Sequence, residues 1–146
     1  MTTDAEPILG DLVLGIDHLG ICVDAMDEAA ALWSELLGPA IAHRECVASQ
    51  LTEAAFVDLP DGGATVELVS PLAGNEGLAR FLAKRGPGLH HVAFAVRDLS
   101  DALTRLARRG VPLIDREPRP GARGHAVAFL HPRATGGTLV ELVERH

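Results

Sequence analysis

The 146-residue sequence has few cysteines, few basic residues for its acid content and no long apolar segment. Two cysteines, Cys22 and Cys46, cannot form a disulfide framework in a chain of this size, which favours a reducing, cytoplasmic location. No apolar run approaches the ~18 residues that a membrane span needs. Residues 1–10 lack the basic and apolar segments of a secretory signal. The net charge of −7 disfavours nucleic acid as a partner.

An apolar fraction of 47% is enough for a folded core, and the length suits a single domain over residues 1–146. The charge is uneven, because one basic and fourteen acidic residues precede the twelve basic and six acidic residues of 80–146. Arg116, Arg119 and Arg123 lie in a Pro/Gly-rich stretch that cannot be a regular helix. Arginines on a loop can bind phosphate by bidentate hydrogen bonds, so a phosphate-bearing ligand and plain solubility are equal alternatives.

The chain contains an internal repeat. Residues 18–23 (HLGICV) match residues 91–96 (HVAFAV) at an offset of 73. Residues 64–70 (ATVELVS) match residues 138–144 (TLVELVE) at an offset of 74. Two near-equal offsets over so much of the chain indicate that one supersecondary unit occurs twice.

Helical segments complete each copy of the unit. Residues 27–38 and 100–110 are amphipathic, begin at an N-cap residue and end at glycine. Residues 75–85 carry an apolar stripe and are expected to form a linking helix. The pattern predicts an α+β fold of two tandem βαβββ modules, over about 16–72 and 89–144.

Side chains alternate along a strand, so each repeated motif has two different faces. His18 and His91 share their faces with small residues, whereas their bulky neighbours point the other way, towards the helices. Glu67 and Glu141 lie between apolar residues in the same manner. Each module therefore offers one histidine and one glutamate on its non-helix face.

A carboxylate within an apolar strand is costly to bury unless it is paired or bound to a metal. A single such glutamate or histidine is more often structural, but the same pair at matched positions in two modules favours a metal site. Two imidazoles and two carboxylates suit Mn²⁺, Co²⁺, Fe²⁺, Ni²⁺ or Zn²⁺. Four protein ligands around a six-coordinate ion leave two positions for a chelating substrate, which favours catalysis. His90 is expected to face the other way, as a packing residue or a support for His91.

These motifs resemble the vicinal oxygen chelate superfamily, which includes glyoxalase I and methylmalonyl-CoA epimerase. Residues 81–94, 117–132 and 136–143 are similar to the epimerases in particular. The resemblance implies a curved mixed sheet around a metal cavity, in a homodimer. It also implies the metal ligands, which are His18, Glu67, His91 and Glu141, with Co²⁺ or Mn²⁺ preferred over Zn²⁺, Ni²⁺ or Fe²⁺.

The implied reaction is the interconversion of the two epimers of methylmalonyl-CoA, or of a related 2-substituted malonyl thioester, by proton abstraction next to the thioester. The family's catalytic glutamate matches Glu53, which shares its strand face with Ala55 and Val57 and is therefore free to face the cavity. Glu141, His125 or a water would return the proton on the opposite face.

The acyl-CoA phosphates would meet Arg116, Arg119 or Arg123. The chain departs from the epimerases at residues 133–135, where they usually have Lys-Asp-Cys, and in the glycine-rich loop, where a serine often stands at the position of Ala122 or His125. Two alternatives share the architecture: a glyoxalase I-like lyase acting on a thiol–aldehyde adduct, and a metal-free drug-binding protein of the bleomycin-resistance type.

Overall fold

The computed structural model describes residues 6–38, 41 and 43–146. The strands in these ranges are β1 (Val13–Cys22), β2 (His43–Val47), β3 (Thr52–Val57), β4 (Thr65–Pro71), β5 (Gly88–Val96), β6 (Arg119–Pro120), β7 (Ala126–Leu130) and β8 (Val140–Glu144). The α-helices are α1 (Met26–Leu37), α2 (Glu76–Arg85) and α3 (Leu99–Arg108). None of the helices in the described ranges is long and apolar enough to cross a membrane.

All eight strands belong to one mixed sheet, in the order β2-β3-β4-β1-β5-β8-β7-β6. In each module the first strand pairs in parallel with the last, β1 with β4 and β5 with β8. An antiparallel pairing of β1 with β5 joins the modules. The predicted fold class, two tandem βαβββ modules in one mixed sheet, is confirmed.

Helices α1 and α3 cover the outer face of the sheet. Met26 of α1 packs against Val57 and Leu68 in module 1. Leu103 of α3 packs against Leu142 in module 2. Burying each such side chain contributes about 1.5–3 kcal/mol relative to leaving it in water. The opposite, inner face is thereby left to the histidines and glutamates.

The helix ends differ in part from the prediction. Helix α3 is capped by Asp98, whose carboxylate accepts from the backbone N–H of Asp101 over 2.9 Å, so the helix begins one residue before the predicted segment. Helix α1 begins at Met26 after Ala25, which provides no side-chain cap, so Asp27 lies in the first turn and is not the N-cap that the sequence predicted. Gly38 and Gly110 follow the helices with φ of 89° and 71°, a left-handed conformation that glycine adopts most easily.

Helix α2 closes one end of the inner face. Asn75 caps it by accepting from the backbone N–H of Leu78 over 3.0 Å. Leu78 then packs against Cys22, Phe56 and Val69, all on the inner side of the strands. This contact places α2 beside the predicted metal residues.

The sheet curls until the regions next to its two edge strands touch. The backbone N–H of Arg123 donates to Glu45 Oε1 over 2.5 Å, and Arg119 Nη1 donates to the Ser49 carbonyl over 3.3 Å. The Ser49 hydroxyl also donates to the carbonyl of Pro120. These contacts between the modules nearly close the sheet around the space enclosed by its inner face.

Candidate metal centre and substrate cavity

The four predicted metal ligands meet on the inner face. His18 Nε2 lies 2.8 Å from Glu67 Oε2, 3.1 Å from Glu141 Oε1 and 3.1 Å from His91 Nε2. All four residues are buried. His18, His91 and Glu141 bring their ligand atoms within 4.8 Å of one another, whereas Glu67 joins the group through its contact with His18.

Gly20 makes this convergence possible. It lies between the two modules, opposite Glu67 of β4 and His91 of β5. A Cβ atom at this position would lie 2.1 Å from Cε1 of His91, well inside van der Waals contact. The missing side chain is therefore the space that the His91 imidazole occupies.

Two bulges in the pairing of β1 with β5 supply support for the imidazoles. The pairing skips Asp17 in β1 and His90 in β5. Asp17 Oδ2 accepts from His18 Nδ1 over 2.7 Å, and His90 Nδ1 lies 2.8 Å from His91 Nδ1. Because each Nδ1 atom is engaged from outside the cluster, both Nε2 atoms face its centre, as metal coordination requires. His90 therefore supports His91, one of the two roles expected for it.

The electrostatics of the cluster favour a cation. Burial acts to lower the pKa of His18, but hydrogen bonds to the three surrounding carboxylates raise that pKa to about 12. Burial and the neighbouring histidines lower the pKa of His91 well below its usual value, which keeps this imidazole neutral. Burial raises the pKa of Glu141. A group of carboxylates that holds a positive charge on His18, next to a neutral imidazole, fits a divalent ion in chemistry and charge.

Two cavities adjoin the cluster, and Glu67 and Glu141 line both of them. The larger has a volume of about 390 Å³, and its other polar or aromatic walls include Phe56, Asp58, Arg123, His125 and Arg145. The smaller, of about 170 Å³, lies on the α2 side and reaches Leu78 and Arg119. Gln50 lines both.

The structure separates the candidate substrate-binding residues. Arg123 faces the larger cavity, where its guanidinium donates to both oxygens of Asp58 at 3.2 and 3.0 Å and lies 4.1 Å from the centre of the Phe56 ring. His125 lines the same cavity, and Arg119 lines the smaller one. Arg116 is exposed and is not part of the wall of either cavity.

Glu53 lies outside both cavities, and this corrects the expectation that it faces the metal. The face of β3 that carries Glu53 also carries Ala55 and Val57, which pack on the outer side of the sheet with α1. Arg44 Nε donates to Glu53 Oε1 over 2.6 Å. The inner side of β3 is instead formed by the alternate residues, among them Phe56.

Three side chains in or near the site were missed by the sequence reasoning. Strict alternation puts Asp17 on the outer face, and only the bulge turns it towards His18. Gln50 and Thr52 also line the cavities. Gln50 lies just before β3 and Thr52 is its first residue, and β3 contains no repeated motif that could have pointed to them. Asp17 had one usable signal, since it directly precedes His18 and is a common histidine partner.

Comparison with known proteins agrees with this geometry. Residues 17–129 match the family described as the glyoxalase/bleomycin resistance protein/dioxygenase superfamily. The chain belongs to this superfamily. The sequence-based identification is thereby confirmed, and the helix and strand order of the structure is that of the vicinal oxygen chelate fold.

Several individual proteins are similar to this chain over most of its length. The uncharacterized protein YqjC of Bacillus subtilis is 43% identical over 88% of this chain and 91% of its own length. Methylmalonyl-CoA epimerase from Mycobacterium tuberculosis is 37% identical, with a TM-score of 0.88 over 93% of this chain and 91% of that chain. A variant of the Streptomyces coelicolor methylmalonyl-CoA epimerase, in complex with 2-nitronate-propionyl-CoA, is 31% identical, with a TM-score of 0.83 over 91% and 98%.

Proposed function

We propose that this protein is a divalent-metal-dependent epimerase of methylmalonyl-CoA or of a related 2-substituted malonyl thioester. The observation that carries the proposal is the meeting of His18, Glu67, His91 and Glu141 beside a cavity of about 390 Å³. The epimerase relatives support the same reaction, which makes the chain an enzyme of the isomerase class.

The ion would be held by the same four side chains, with Co²⁺ or Mn²⁺ preferred. When bound, it supplies electrostatic stabilisation for the negative charge that develops on the thioester oxygen as the neighbouring C–H bond breaks. Asp17 and His90 hold the two imidazoles in the orientation that this requires.

Glu141 is the carboxylate that we assign to proton transfer from the substrate carbon. It is 4% exposed and lines both cavities, so its carboxylate lies beside the space that the acyl group would enter. A positioned acid–base group of this kind contributes about 10²- to 10⁴-fold in rate. His125, in the wall of the larger cavity, and water are the alternatives for returning the proton on the opposite face.

An acyl-CoA is the proposed partner, and the larger cavity is its proposed entry. Arg123 and His125 line this cavity, and Arg116 is exposed. The complex of the Streptomyces coelicolor relative with a CoA ester supports this class of ligand. We also infer a homodimer and, from the two unpaired cysteines, a cytoplasmic location.

The test begins with the purified protein loaded with Co²⁺ or Mn²⁺ and incubated with methylmalonyl-CoA in deuterated water. We expect one bound ion per chain and deuterium at the second carbon of the acyl group, with both lost after treatment with a chelator. Bound metal without deuterium uptake contradicts the epimerase assignment. Turnover of a glutathione–aldehyde adduct instead would favour the glyoxalase I-like lyase.

Two glutamate variants locate the proton transfer. We expect Glu141→Gln to reduce deuterium uptake at least about 100-fold at equal metal content, which is measured alongside because Glu141 is also a proposed metal ligand. Glu53→Gln is the matched control, because the Glu53 carboxylate is hydrogen-bonded to Arg44 on the outer face, and we expect its rate to stay within about threefold of the wild type. A large loss in Glu53→Gln with metal still bound would return Glu53 to the mechanism.

A further inference from the structure

The smaller of the two cavities is not used by the epimerase mechanism proposed above. It encloses about 170 Å³ between the metal cluster and α2, and Glu67, His91 and Glu141 form part of its wall. Leu78 and Phe129 give it an apolar side. A space of this size next to the cluster can hold a short carbon branch but is too small for the nucleotide of CoA.

Two unsatisfied polar groups in the interior of the described part of the chain belong to this cavity. Among the buried side-chain nitrogen and oxygen atoms of the described residues, Thr52 Oγ1 and Arg119 Nε lack a hydrogen-bond partner. Thr52 is only 7% exposed, and both residues line the cavity. Buried polar groups are nearly always hydrogen-bonded, so two exceptions in one wall indicate a missing partner.

The chemistry of these atoms specifies the partner. A hydroxyl and a guanidinium N–H can both donate, and an acceptor-rich group such as a carboxylate can receive both. Arg119 Nη1 is already engaged with the Ser49 carbonyl. Asp115 Oδ2 lies 3.4 Å from Arg119 Nε, but it accepts from the Phe129 N–H over 2.8 Å and leaves the Nε–H without a hydrogen bond.

We propose that the smaller cavity binds the free carboxylate of a malonyl-type acyl group, with Thr52 and Arg119 as its two donors. The inference rests on the proposed function for the identity of the acyl group. Thr52 and Arg119 then select a malonyl thioester over a thioester that lacks the second carboxylate. Arg119 then acts on the acyl end of the substrate and not on the CoA phosphates.

Methylmalonate and isobutyramide are the probes, because isobutyramide keeps the branched carbon chain but has no carboxylate. Binding to the metal-loaded protein is measured by calorimetry, for the wild type and for Thr52→Val and Arg119→Gln. We expect methylmalonate to bind about 10-fold more weakly to Thr52→Val and about 10- to 100-fold more weakly to Arg119→Gln. Isobutyramide affinity and metal affinity should stay within about twofold.

Matched variants separate the subsite from a general structural role. Thr52→Ser restores the hydroxyl and should recover methylmalonate binding to within about threefold of the wild type. Thr104→Val and Arg108→Gln remove the same groups from α3 and should leave all affinities unchanged. The same pattern is expected for methylmalonyl-CoA as a rise in KM.

Three results would overturn the proposal: unchanged methylmalonate affinity in Thr52→Val and Arg119→Gln, equal losses for methylmalonate and isobutyramide, or no methylmalonate binding to the wild type. Failure of the epimerase assignment is separate from these results. If the wild-type protein incorporates no deuterium into the substrate but binds methylmalonate through Thr52 and Arg119, the carboxylate subsite stands and only the proposed reaction is contradicted.

Discussion

The geometry of the candidate metal centre depends on the absence of a side chain at Gly20. Its position between Glu67 and His91 in the sheet makes it the point at which the two modules share their ligands. The His91 ring fills the volume that a Cβ atom would take. Close packing of this kind tolerates little added volume, since a displaced imidazole cannot keep its ligand geometry.

Gly20→Ala should therefore reduce metal affinity more than it reduces stability. We expect Co²⁺ or Mn²⁺ to bind at least about 10-fold more weakly, by analogy with losses caused by disturbed ligand orientation, measured by competition with a chelator. Gly77→Ala is the control, because a Cβ there lies 3.7 Å from Asn75 Oδ1, an ordinary contact on α2. Equal metal affinity in wild type and Gly20→Ala would contradict the proposed role of His91.

At the scale of the strands, the repeat predicted which residues meet but not how they are held. His18, Glu67, His91 and Glu141 were predictable because the same pair recurs at matched strand positions. Asp17 was not, since a bulge breaks the alternation on which the prediction depends, and a bulge leaves no periodic signal in a single sequence.

Strand β3 illustrates a second limit. Glu53 was expected to face the cavity with Ala55 and Val57, but that face packs on the outer side of the sheet. The alternate face carries Phe56 and is equally apolar. When both faces of a strand are buried and apolar, the alternation of side chains does not show which face is the inner one. In β3 this depends on which face packs against α1.

The bulge at Asp17 leads to a prediction for the strand that contains it. Asp17→Asn keeps the shape of the side chain but removes the negative charge that His18 Nδ1 faces at 2.7 Å and Arg145 Nε at 2.6 Å. We expect metal affinity to fall about 10- to 100-fold, with a changed visible spectrum of bound Co²⁺.

Asp11→Asn is the matched control for that variant, because the Asp11 carboxylate is exposed and pairs with Arg105 of α3 over 2.9 Å. Its metal affinity and Co²⁺ spectrum should equal those of the wild type. An unchanged spectrum in Asp17→Asn would show that the carboxylate does not orient His18.

At the scale of the whole molecule, curling the sheet joins two modules into one site. The repeat predicted two similar halves, and the strands of the two halves are arranged alike, β2-β3-β4-β1 in one and β6-β7-β8-β5 in the other. The contacts of Arg119, Pro120 and Arg123 with Glu45 and Ser49 could not be predicted, because they join residues 70 to 78 positions apart, in or next to the edge strands, without any repeated motif.

The same curvature leaves the middle of the outer face without a helix. Helices α1 and α3 cover the flanking strands, so Ile16 and Leu19 of β1 are 48% and 37% exposed, and Leu89 of β5 is 58% exposed. The three side chains lie on neighbouring strands, with Ile16 paired to Phe94 and Ile21 paired to Leu89. An apolar strip at the junction of the modules is self-complementary in a two-fold dimer, because each copy presents the same residues.

We expect the protein to sediment at twice the mass of one chain and Leu19→Glu to sediment as a monomer. A charge placed in a buried apolar contact occurs twice in a two-fold interface, so dimerisation should weaken at least about 100-fold. Ile114→Glu is the control, because Ile114 is 51% exposed on the segment after α3 and away from the strip. A monomeric wild type would contradict the dimer, and a Leu19→Glu variant that stays dimeric would place the interface elsewhere. If the strip is the interface, Leu19→Glu should keep its metal, because Leu19 points away from the inner face on which the ligands meet.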